Sequence, residues 1–278
     1  PFHASETVEA FERVLEGTGN RSVVLTGPTG AGKTAVVHEL VHRLATRKDR
    51  PWHVLRVSPN EMLVGTKYLG EWQTKVKALA NLIAAPQRVL LYVPHLAELS
   101  EVGASEQNEQ ASVATLLAPD IESGRIAVLG ESTPGAWSKG MGSEGHLQRL
   151  FARVDVSPLS REATREVLEL VAVDAGAEVD PEALDVTLDV ADVYLSDIEL
   201  PGRAVGLLRR MIADGDRDRY ARGDVLRTLQ EATGVPPDFL DDSIPLRQDL
   251  LRDFFGARVM GQPDAVENVI DLVTLVKA

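Results

Sequence analysis

The stretch RSVVLTGPTGAGKTAVVHELVHRLATR, residues 21–47, decides the fold. Its first part, residues 21–27, is a short apolar run entering a glycine-rich turn, which reads as a strand. From Lys33 to residue 47 the apolar positions recur at helical spacing. Between the two, Gly27, Pro28, Thr29, Gly30, Ala31, Gly32, Lys33 and Thr34 fit G-x-x-x-x-G-K-[ST] at every fixed position. Glycines at this spacing let backbone N–H groups curl around a phosphate, Lys33 reaches the β and γ oxygens, and Thr34 offers its hydroxyl to Mg2+. The helix that opens at Lys33 points its positive end at the anion. The motif therefore implies a site for ATP or ADP accompanied by Mg2+.

Working outward, apolar runs alternate with helical patterns through the first half, the mark of a parallel sheet with crossover helices. Strands are expected at 53–58, 89–93 and 125–133, and helices at 8–15, 70–85 and around 107–118. After Phe151 the strand signal fades, and 160–176, 181–195 and 202–215 read as three helices, the size of a small helical lid. The charged stretch 214–224 is expected to be a linker. The predicted class is α/β, a phosphate-loop module of parallel sheet flanked by helices followed by a helical lid. Its expected boundaries are 1–155, 156–215 and 216–278.

Composition excludes several classes. The formal net charge of −13 argues against a nucleic-acid binder, which usually carries a basic face. With no cysteine there are no disulfides, thiolate metal sites or cysteine nucleophiles, and a reducing cytoplasm is the expected compartment. No apolar run approaches the length of a membrane span. The chain opens Pro1-Phe2 without Met, so a piece of a longer product is expected. His38 and His42 on the phosphate-loop helix read as a polar face rather than a metal site.

Beyond the phosphate loop, VGTKYLGEWQTKVKAL (64–79) resembles the first pore loop and following helix of Clp-type AAA+ unfoldases. LLAPDIESGRIAVLGEST (116–133) is similar to the family's helix, turn and sensor-1 strand, and YLSDIELPGRAVGLL (194–208) to its lid helices. EATGVPPDFL (231–240) and RVMGQPDAVENVIDLV (258–273) resemble the linker and opening of a second AAA+ module. The resemblance implies a ring, of six subunits, acting on polypeptide rather than on nucleic acid or membrane. It implies that Lys67 and Tyr68 form the pore-loop pair that grips substrate. Thr133, with Ser132 beside it, falls at sensor 1, and Arg203 at a sensor-2-like place in the lid. Arg149 matches the first of two arginines that act across the subunit interface, while the second is Leu150.

One departure concerns hydrolysis. Active relatives follow an apolar run with Asp-Glu, the Asp positioning Mg2+ and the Glu polarising the attacking water. The run at 89–93 is followed by Pro94 and His95, and Glu98 further on is expected to face elsewhere. The expectation is a nucleotide-binding remodeller module with a weakened Mg2+ site and little or no turnover. The alternatives are an active ATPase with substitute residues and a DNA-associated AAA+ regulator.

Overall fold

The computed structural model describes residues 5–17, 19–49, 51–66, 70–84, 88–104, 112–140, 145–215, 217–234 and 247–277. The chain divides into two compact units, the first made of residues 1–163 and 198–202, the second of 164–197 and 203–278.

In the first unit, helix α1 (Ser5–Leu15) precedes strand β1 (Val23–Thr26), whose four residues are all buried. Helix α2 (Lys33–Thr46) leads to β2 (His53–Arg56), α3 (Glu71–Ile83) and β3 (Val89–Val93). Helix α4 (Val113–Glu122), capped by Ser112 through its hydroxyl on the Thr115 N–H, leads to β4 (Ala127–Ser132). Short helices α5 (Pro134–Gly140) and α6 (Gly145–Gln148) precede β5 (Ala152–Asp155). The five strands form one parallel sheet in the order β2-β3-β4-β1-β5.

Strand alternation divides the core between the two faces of this sheet. Val23, Leu25, Leu90, Tyr92 and Leu129 pack against Val37, Leu40 and Leu44 of α2 and Phe11 of α1. Val24, Leu91, Val93 and Val128 turn the other way, onto Val76 and Ala80 of α3 and Leu117 and Ile121 of α4. The continuous apolar runs of β1, β3 and β4 follow from burial on both faces. Strand β5 is different: it is an edge strand with Ala152, Arg153 and Asp155 exposed, and it extends the sheet past Phe151, where no strand was expected.

The second unit contains most of α7 (Arg161–Asp174), then β6 (Glu178–Val179), α8 (Pro181–Tyr194), α9 (Gly202–Asp214), β7 (Arg219–Tyr220) and α10 (Arg222–Thr233). It ends with α11 (Gln248–Gly256) and α12 (Pro263–Lys277), which pack on each other and join through Arg252 and Glu267 at 2.8 Å. The three expected lid helices are present. The charged stretch 214–224 is not a plain linker: β7 pairs with β6, and α10 packs on α8 through Val225 and Leu229. Several of its charges are taken up within the unit, Arg219 with Asp180 at 2.8 Å and Arg217 with Asp224 at 3.1 Å. Tyr220 is the apolar anchor hidden among them, buried with its hydroxyl donating to the Gly215 carbonyl at 2.6 Å.

Candidate nucleotide site

The turn between β1 and α2 is held in shape by three hydrogen bonds. The Gly27 N–H donates to the Ser132 carbonyl of β4 at 3.3 Å, and the Glu199 and Gly202 N–H groups donate to the carbonyls of Thr29 and Gly30 at 2.8 and 3.0 Å. Gly30 and Gly32 both have φ of 93°, a conformation that glycine adopts without strain. A Cβ on Gly30 would also stand 2.3 Å from the Glu199 oxygen, so this position admits no side chain. Gly30→Ala is expected to cost roughly 1–3 kcal/mol, a fall of roughly 2–10 °C in the melting midpoint, read by calorimetry. An unchanged midpoint would mean that residues 198–202 do not hold the loop.

Lys33 donates through Nζ to the carbonyls of Gly27 and Pro28, both at 2.8 Å. Burial lowers the pKa of its ammonium, and the charge of Glu131 opposes that shift. Thr34 opens the first turn of α2 and donates through its hydroxyl to Glu131 Oε2 at 2.9 Å. Ala31 is buried under the loop with the α2 side of the core. Thr29, Gly30, Gly32, Lys33 and Thr34 border a cleft of about 470 Å³, within the size range of small-molecule sites.

The opposite wall of the cleft is the end of β3. Pro94 and His95 both line it, Pro94 half-buried and His95 exposed. They are fixed there by neighbours, since Val93 and Leu96 are fully buried on either side. Leu96 lies flat on β4 because Gly130 has no side chain, a Cβ there being 2.4 Å from Leu96 Cδ2. A 3-10 turn over Leu96–Ser100 then curls the chain back, so Glu98 lines the cleft rather than facing elsewhere. That corrects the reading from the linear sequence, in which the turn is not visible.

A further carboxylate was missed. Glu131, in β4, lines the cleft while being only 5% exposed. Its Oε1 accepts a short hydrogen bond from the Tyr92 hydroxyl, and its Oε2 accepts from Thr34. Burial, then the bond to Glu131 and its charge, push the Tyr92 pKa far up, so the phenol remains a donor. The available signal was an apolar run, residues 126–130, ending in a single Glu.

The remaining expected site residues are placed as follows. Thr133 and Ser132 line the cleft, but the Thr133 hydroxyl also accepts the Ala136 N–H at 3.2 Å, at the start of α5. Arg149 is exposed just after α6, and Leu150 beside it is buried. Arg203 belongs to the second unit, where it pairs with Asp192 at 2.6 Å. Lys67 and Tyr68 lie outside the described residues. No helix among the described residues is long and apolar enough to cross a membrane.

Comparison with known proteins agrees with this geometry. The pattern of the AAA ATPase domain matches residues 6–233. The chaperone protein ClpB of Lactococcus lactis subsp. cremoris is 28% identical over 213 residues, covering 73% of this chain and 24% of that protein. A probable ATP-dependent Clp protease ATP-binding subunit of Chlamydia pneumoniae is 28% identical over 215 residues, covering 73% of this chain and 25% of that protein. The chain thus spans about a quarter of the length of these relatives. Among solved structures, a closed state of Hsp104 with ATPγS and casein aligns with a TM-score of 0.75 at 22% identity, covering 99% of this chain and 49% of that one. The extended Saccharomyces cerevisiae Hsp104–casein complex aligns with a TM-score of 0.72 at the same 22% identity, covering 99% of this chain and 49% of that one. The chain belongs to the AAA ATPase domain family, as a nucleotide-binding module of the Clp type.

Proposed function

We propose that this module binds ATP within a larger Clp-like protein-remodelling ring and turns it over slowly or not at all. The observation that carries the reading is a complete phosphate loop, Gly27 to Thr34, facing Pro94 and His95 across one cleft. The loop supplies N–H groups, an ammonium and a hydroxyl for the phosphates. Position 94 supplies no ligand, and an imidazole at 95 beside phosphates is a poor substitute for a water-polarising carboxylate. Mg2+, which accompanies nucleotide in this family, would meet the Thr34 hydroxyl but gain nothing from the end of β3. Bound there, the cation would neutralise phosphate charge.

The rest of the proposal follows the family. Six copies form a ring in the cytoplasm, Arg149 acts on a neighbour's nucleotide, and Arg203 serves as the sensor-2-like phosphate contact. Lys67 and Tyr68 are the pair that would grip an extended polypeptide, by packing of the aromatic ring. The relatives solved with casein support a polypeptide substrate. The net charge of −13 weighs against the DNA-associated reading. Residues from 258 onward open a second module, which supplies the work.

The test is calorimetry of the assembled protein with ADP and a slowly hydrolysed ATP analogue, paired with phosphate release while any second module is disabled. Saturable binding with release near background is the expected outcome, and no binding by this module would end the proposal. Glu98 and Glu131 on the cleft favour a second reading, in which substitute carboxylates sustain turnover. Release at the rate of an ordinary Clp module would favour that one.

A further inference from the structure

We infer that Glu131 is the cation-positioning carboxylate of this module, carried on β4 in place of the group that Pro94 lacks on β3. The inference rests on the nucleotide-binding reading and adds to it the location of the divalent-cation site.

Topology puts the two positions level. Strands β3 and β4 are parallel neighbours in the register Tyr92↔Leu129 and Val93↔Gly130, so the next residues along, Pro94 and Glu131, follow side by side. Tyr92 and Leu129 point to the α2 side of the sheet. Two residues further along each strand, the alternation of side chains brings positions 94 and 131 back to that side, the side of the phosphate loop. A carboxylate moved from 94 to 131 crosses one strand spacing, about 4.8 Å.

The contacts are those of a positioned ligand. Thr34, whose hydroxyl the motif assigns to Mg2+, is already bonded to Glu131 Oε2 at 2.9 Å. Tyr92 holds the other oxygen, which fixes the plane of the carboxylate. Lys33, the nearby cation, directs Nζ to the Gly27 and Pro28 carbonyls instead. A carboxylate only 5% exposed is costly to bury with hydroxyl donors alone, and a divalent cation beside it removes that cost. Glu98 also lines the cleft, but the Thr34 hydroxyl is directed to Glu131. Among the described residues no group of three or more His, Asp or Glu could hold a metal by itself. One carboxylate and one hydroxyl beside a polyphosphate is instead the Mg2+ pattern, in which the substrate completes the shell.

The experiment measures ADP affinity of the whole protein by calorimetry, in excess Mg2+ and in EDTA, for wild type, Glu131→Gln and Glu131→Asp. Lys33→Ala identifies which binding belongs to this site. Glu131→Gln is expected to weaken binding roughly 10–100-fold in Mg2+. In EDTA the same variant should bind as well as wild type or better, because an uncompensated negative charge has left the phosphate site. Glu131→Asp, which keeps the charge, retains part of the Mg2+ gain. Equal weakening in both conditions would show that Glu131 only braces β3, β4 and α2, and would overturn the assignment. An undiminished Mg2+ gain in Glu131→Gln would overturn it as well, leaving the nucleotide reading intact. Absence of any Lys33-dependent binding in wild type would remove the nucleotide reading, and the assignment with it.

Discussion

Replacing Pro94 with Asp and His95 with Glu is expected to raise ATP turnover by this module about 10²-fold or more, within the roughly 10²–10⁴-fold range of a positioned general base. Both residues line the cleft outside the packed core, and their anchors, Val93 and Leu96, are untouched by the exchange. The fold should therefore survive. Recovery stays partial on the proposed reading, in which Leu150 takes the place of a second arginine and developing charge remains under-neutralised. The single variants divide the effect. With Glu131 already holding the cation, His95→Glu alone should recover most of the gain and Pro94→Asp alone little. The measurement is phosphate release in the assembled protein with any second module disabled. Wild-type turnover already equal to that of an active Clp module would refute the reading of Pro94 and His95.

Lys33→Ala is the second large effect. A hydrogen bond from a charged donor is worth roughly 1.5–3 kcal/mol, so nucleotide affinity should fall roughly 10–150-fold. The same substitution removes only bonds to two loop carbonyls, from a side chain that is partly exposed. Stability without ligand should barely change, whereas the rise in melting midpoint that nucleotide gives the wild type should largely vanish. A variant that keeps this rise would place the nucleotide elsewhere.

How much of this could be read beforehand varies by element, for physical reasons. Strand β3 falls where its apolar run lies, at 89–93, because burial on both faces demands an unbroken run. Helix α2 was legible from its apolar stripe and from the motif that opens it. Strand β5 was not, since only Val154 of its four residues is both apolar and shielded. Helix α10 was hidden behind charges that a linear reading assigns to solvent, although they pair within the unit. In the site, the phosphate loop was complete in the sequence, and Pro94-His95 could be read at the end of β3, where they line the cleft. Glu131 is not legible from one strand read to its end, since it lies on the neighbouring strand. Only the pairing of β3 with β4 brings residue 131 beside residue 94.

The five residues 198–202 bear on how such a module can be cut, grafted or recombined. They belong with the first unit although the chain on both sides of them belongs to the second. A nucleotide domain ended at residue 163 would lose the Glu199 and Gly202 N–H groups that serve the Thr29 and Gly30 carbonyls. Those carbonyls would then turn to water, and the loop would no longer be preset for phosphate. A helical unit exchanged from a relative has to bring a matching segment here, with glycine at 202, where a Cβ would stand 2.5 Å from the Gly30 Cα. The phosphate loop and this distant segment are thus inherited as one part, whatever the intervening helices become.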